Sequence, residues 1–99
     1  MSPKKITPKN ASDLANLFEA LSDPTRVQII STLMDGEIGV GELVENIGVT
    51  KSAISHQLSG LRNKRLIRTR KQGRNVFVRL DDDHVVDLFQ RGLDHVLHG

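Results

Sequence analysis

The chain has 99 residues, enough for one domain but small for a self-sufficient core. It holds no cysteine, tryptophan or tyrosine, which excludes disulfides, thiolate chemistry and soft-metal thiolate sites. No apolar run is long enough to cross a membrane and none resembles a secretory signal, so a cytoplasmic protein is expected. The net charge of +2 hides a sharp segregation: Lys51 to Leu80 carries nine of the fourteen basic residues and none of the twelve acids. That leaves five bases against twelve acids elsewhere. Such a one-sided block has the electrostatic footprint of a polyanion partner.

Residues 1–9, with Pro3, Pro8 and three lysines, read as a flexible arm preceding a single domain over residues 10–99. Leu14, Leu17, Phe18 and Leu21 mark a first helix, with Ser12 as its expected start. Asp23-Pro24 opens a second, an N-cap acceptor followed by proline at the first helical position. Its buried stripe is expected at Val27, Ile30, Leu33 and Met34, and Gly36 stops it. Ile38 to Val40 reads as a short extended piece. Leu43, Val44 and Ile47 mark a short third helix ending at Gly48.

Thr50 caps a fourth helix running from Lys51 to about Lys64. Ile54, Leu58 and Leu61 fall on its inner side, while Ser52, Ser55, His56, Ser59 and Asn63 make a polar outer face. Two helices joined through Gly48-Val49, the second bearing such a face, form a helix-turn-helix pattern whose second helix enters the DNA major groove. Lys51, Ser52, Ser55, His56 and Ser59 are its candidate contacts. Leu66 to Lys71 and Val76 to Leu80 then read as two strands around Gln72-Gly73-Arg74-Asn75. The fold class is therefore mainly α with a small β-hairpin, a winged helix-turn-helix dimerised through its terminal helices. Arg68, Arg70, Lys71, Gln72 and Arg74 on the wing are candidate DNA contacts, the basic ones positioning phosphates rather than reading bases.

The last helix carries three of the four histidines. Val85, Leu88, Phe89, Leu93 and Val96 give it an apolar stripe. His84 and His95 lie on nearly one face but roughly 16 Å apart along the axis, too far to share an ion whose bonds to nitrogen are about 2 Å. His95 and His98, one turn apart, can share one, as can Asp82 and His84. An antiparallel second copy would set each pair against the other, giving two identical four-ligand sites about a two-fold axis. Asp82 also suits a helix N-cap, and Asp81 and Asp83 are neighbouring carboxylates.

The Ser-Asp-Pro-Thr-Arg run (Ser22 to Arg26), the Ser-Ala-Ile-Ser-His-Gln-Leu run (Ser52 to Leu58), the Arg-Lys-Gln-Gly-Arg hairpin and the final helix together resemble the ArsR/SmtB family of metal-sensing repressors, from about Leu14 to His98. The resemblance implies a homodimer that binds operator DNA and releases it when a metal binds. It also implies a site of Asp82 and His84 from one protomer with His95 and His98 from the other, associated with zinc and, in relatives, cobalt or nickel. The family's other common site needs cysteines at the start of the third helix; Val40 and Gly41 stand there, so arsenic, cadmium and lead lose their preferred ligands. The competing readings are a nickel or cobalt sensor of this fold and a constitutive DNA-binding regulator with structural histidines. A zinc enzyme needs an open coordination position, which four ligands on a helical seam do not leave, and no nucleophile–base arrangement is present.

Overall fold

A computed structural model describes residues 5–99 of the chain. The order is α1 (Pro8–Ala20), α2 (Pro24–Leu33), β1 (Ile38–Gly39), α3 (Val40–Ile47), α4 (Lys51–Asn63), β2 (Ile67–Gln72), β3 (Asn75–Leu80) and α5 (Asp83–His98). Four of the five helices begin the same way. The side chains of Thr7, Asp23, Thr50 and Asp82 each accept a hydrogen bond at 3.1 Å from the backbone N–H three residues on, satisfying a donor the helix leaves without a partner. Thr7-Pro8 thus repeats the Asp23-Pro24 opening, and α1 starts at Pro8, ahead of the expected Ser12. Of the expected arm, residues 1–4 lie outside the described residues, and helix has begun by Pro8.

The core gathers Ile29, Ile30 and Leu33 of α2, Leu43 of α3, Ile54, Leu58 and Leu61 of α4, and Leu66, Ile67, Val78 and Leu80 in and beside the sheet. Each such side chain contributes about 2 kcal/mol on leaving water. Leu61 is fully buried, so Leu61→Ala would cost about 3 kcal/mol and loosen the seat of α4. Val27, expected in the α2 stripe, is 38% exposed while its neighbour Ile29 is fully buried. Helix α2 is central, and its buried surface is centred on Ile29 and Ile30 rather than on the Val27 side.

The extended piece at Ile38–Gly39 is a third strand, pairing antiparallel with β3 so that the sheet order is β1-β3-β2. Six residue pairs from Ile67↔Leu80 to Gln72↔Asn75 build the wing. Its loop is Gly73-Arg74, with Gly73 at φ 63°, the positive first position that a type II′ hairpin turn requires. Where α4 ends, Arg65 takes φ 59°. Leu66 N–H bonds to Leu61 C=O and Arg65 N–H to Arg62 C=O, the paired closure of a Schellman motif, usually made with glycine.

The chain extends 49 × 31 × 21 Å, with a radius of gyration of 14.8 Å against about 13 Å for a compact domain of this length. The terminal helices account for the difference. In α1 only Ala20 is buried, and Leu14 and Phe18 are exposed. In α5, Val85 joins the core and Val86 and Phe89 pack against it, but Leu93, Val96 and Leu97 are exposed, Val96 at 79%.

Candidate nucleic-acid interface and metal half-sites

Gly48, left-handed at φ 80°, closes α3, and Thr50 starts α4 two residues later. This tight turn presents Lys51, Ser52, Ser55 and His56 to solvent, with Ser59 half-buried. The helix is held at its back by an arginine that sequence reasoning passed over. Arg26 Nε donates to Gln57 Oε1 at 2.6 Å, and its Nη1 donates to the Ala20 carbonyl at 3.3 Å. Arg26 therefore ties the end of α1 and the start of α2 to the middle of α4. Its guanidinium lies across Gly60, where a Cβ would come within 3.3 Å of Nη2.

A cavity of about 830 Å³ opens between α3, α4 and the wing. Lys51, Ser55, Ser59 and Arg62 line its α4 side, Arg74, Asn75 and Phe77 its wing side, and Glu42 and Glu45 its α3 wall. Arg62 was not among the expected contacts, although Ser55, Ser59 and Arg62 succeed one another at spacings of four and three along one face.

The wing arginines divide. Arg74 is at the tip, and Lys71 and Gln72 are exposed beside it. Arg68 and Arg70, expected alongside them as phosphate contacts, each also make an ion pair within the chain while keeping much of their side chains exposed. Arg70 makes a forked pair with Glu37, Nη2 to Oε1 at 2.6 Å and Nε to Oε2 at 3.0 Å, and its guanidinium carbon lies 4.6 Å from the centre of the Phe77 ring. That pairing holds the Glu37 carboxyl below its ordinary range. Arg68 Nε donates to Asp81 Oδ1 at 2.6 Å. Neither pair is legible in the basic block itself, because Glu37 and Asp81 both lie outside it.

The three adjacent aspartates before α5 separate by role. Asp81 is held by Arg68. Asp83 is the first residue of α5. Asp82 caps the helix with Oδ1, and its Oδ2 lies 3.6 Å from His84 Nδ1. The hydrogen bond from the Val85 N–H, opposed by partial burial and helped by His84, holds the Asp82 carboxyl below its ordinary range. Two ligands bound at about 2.05 Å on a tetrahedral ion stand about 3.3 Å apart; the Asp82–His84 edge is within a few tenths of that, and the residues fit a metal half-shell. At the other end, His95 and His98 share the last turn. Asp94, which sequence reasoning did not single out, places Oδ1 3.8 Å from His98 Nε2. The two ends are roughly 24 Å apart along α5. Among the described residues no three His, Asp or Glu side chains of one chain converge on a point.

The helix-turn-helix, the paired wing and the two terminal helices define a winged-helix regulator. The model of the bacterial regulatory protein, arsR family, matches residues 23–69. A transcriptional repressor SmtB homologue of Synechocystis sp. is 38% identical over 97% of this chain and 73% of its own length. A cadmium resistance transcriptional regulatory protein CadC homologue of Staphylococcus aureus is 37% identical over 93% of this chain and 77% of its length. Among solved structures, HlyU from Vibrio cholerae superposes with a TM-score of 0.82 at 34% identity, covering 93% of this chain and 98% of that one. The chain belongs to the ArsR family of bacterial transcriptional regulators and is not an enzyme.

Proposed function

We propose that this chain is a metal-responsive transcriptional repressor of the bacterial cytoplasm that binds an operator as a homodimer and releases it when Zn(II) bridges the α5 helices. The observation that carries this reading is α5 itself: a carboxylate–imidazole pair at one end, two imidazoles at the other, and a bare apolar side formed by Leu93, Val96 and Leu97. A second copy laid antiparallel would cover the apolar side together with Leu14 and Phe18 of α1. It would also bring Asp82 and His84 of one protomer to His95 and His98 of the other. When bound, the ion supplies a rigid link between the two chains; it has no open position for chemistry.

The donor set of three imidazoles and a carboxylate suits zinc, with cobalt or nickel as relatives of similar taste. The CadC homologue is named for cadmium resistance, which supports a metal effector; this chain has no thiolate for so soft an ion. If His98 binds through Nδ1, Asp94 is placed to hold its Nε2–H. Operator contact falls to Lys51, Ser52, Ser55, His56 and Ser59 in the major groove and to Lys71, Gln72 and Arg74 on the backbone. Metal then lowers operator affinity by favouring a dimer geometry in which the two α4 helices no longer match successive grooves, and operator lowers metal affinity by the same factor.

The test is operator affinity by fluorescence anisotropy, using a duplex selected from a random library by the metal-free dimer. Zinc, cobalt and nickel are titrated at fixed salt. Wild type should lose about tenfold or more in affinity with the cognate ion. His95→Ala should bind DNA normally without metal and fail to release it. Affinity indifferent to all three ions would leave only a constitutive DNA-binding dimer.

A further inference from the structure

The sheet and α5 are joined by only two residues, and each is fastened. Asp81 is bonded twice to the β2 side of the wing: its N–H donates to the Leu66 carbonyl at 3.0 Å, and its carboxylate accepts from Arg68 Nε at 2.6 Å. Its side chain is 22% exposed. Asp82, next in the chain and extended at φ −155°, caps α5 and faces His84. Directly across the ladder Arg68 opposes Arg79, a like-charge pair that is unfavourable alone and that the Asp81 carboxylate offsets. A connector this short, tied at both ends, has no slack in which a change of α5 angle could be absorbed.

From this geometry we infer that Arg68 and Asp81 are positioning residues, a strut that carries the setting of the Asp82/His84 half-site into the wing, and that Arg68 is not a phosphate contact. This rests on the sensor reading above. Metal that fixes Asp82 and His84 against a partner helix fixes the start of α5. Asp81 passes that setting to β2 through one charged and one backbone bond, and Arg74 at the wing tip moves with the hairpin. The Val85, Val86 and Phe89 contacts seat α5 on the core, but they lie beyond the connector and do not touch the wing side of it through a directional bond.

The experiment compares wild type, Asp81→Asn, Arg68→Gln and Asp81→Glu as full-chain dimers in three measurements: zinc affinity without DNA, operator affinity with and without zinc, and the salt dependence of metal-free DNA binding. The strut requires that Asp81→Asn and Arg68→Gln keep zinc affinity within about threefold of wild type, yet lose at least fivefold of the zinc-driven change in operator affinity. Asp81→Glu, which keeps the charge, should recover most of it. Arg68→Gln should leave the slope of log affinity against log salt unchanged, whereas a lost phosphate contact flattens it by about one. If Asp81→Asn does not fold, Arg68→Gln cuts the same bond from the other side and decides. An unchanged zinc response in these variants, a flattened slope in Arg68→Gln, or a collapse of zinc affinity in Asp81→Asn overturns the strut while the sensor reading stands. A wild-type dimer indifferent to every ion overturns both.

Discussion

Gly60 opens the last turn of α4, where glycine ordinarily costs about 0.8–1.0 kcal/mol relative to alanine. Gly60→Ala should therefore stabilise the protein, but the structure says otherwise. The new Cβ would stand 3.3 Å from Arg26 Nη2, tighter than comfortable contact, and at an ordinary 3.7 Å from its Cζ. The guanidinium cannot retreat, because Nε is held by Gln57 at 2.6 Å and Nη1 by the Ala20 carbonyl. A hydrogen bond from a charged donor contributes about 1.5–3 kcal/mol, and stretching it by a few tenths of an ångström forfeits part of that. Gly60→Ala should then be neutral to about 1 kcal/mol destabilising in wild type. In an Arg26→Ala background the obstruction is gone and the same change should stabilise by about 1 kcal/mol. The coupling between the two sites is about 1–2 kcal/mol, in the range found for residues in contact. Urea unfolding of the four variants at one fixed chain concentration measures it, since association shifts apparent stability. Equal stabilisation by Gly60→Ala in both backgrounds would refute the claim that Arg26 occupies the space above Gly60.

Arg74→Ala at the wing tip should weaken binding to all duplexes and flatten the salt slope by about one, checked by anisotropy from 50 to 200 mM salt; an unchanged slope would remove the tip from the backbone contacts. The depressed Glu37 and Asp82 carboxyls contribute stability above the ordinary carboxylate range that is lost as pH falls through their lowered folded values. Urea midpoints should hold from pH 7 to about 5 and drop below about 4, and Glu37→Gln should show a shallower drop; an identical drop would mean the Arg70 pair does not contribute. Val96→Glu with Phe18→Glu should shift the dimer to monomer in sedimentation at micromolar concentration, and an unaltered mass would place the seam elsewhere.

The local features were legible because they rest on short-range chemistry. Alternating inner and outer positions on α4 announced Ile54, Leu58 and Leu61, and Gly48 and Thr50 bounded the turn before it. Thr7-Pro8 carried the same opening as Asp23-Pro24, yet its surrounding lysines disguised it as an arm. What the sequence hid are contacts between residues far apart in the chain. Strand β1 is two residues long and acquires its identity only from Val78 and Phe77, about forty positions later. Arg26 meets Gln57 across 31 positions and Arg70 meets Glu37 across 33. No periodicity records such pairs. The two pairs proposed as metal half-sites could be read as spacings on α5; that Asp82, of three consecutive aspartates, faces His84 at 3.6 Å, with Asp81 paired to Arg68, is a matter of three-dimensional placement.

The bare sides of α1 and α5 also bear on how much of this regulator a cell must hold. A helix of 13 residues with one buried side chain is marginal in water, so in the proposed dimer the cover given by the second copy, and with it chain concentration, would set how much of α1 stays wound. At dilution the first helix should fray and invite proteolysis, giving the repressor a floor of abundance below which it clears itself.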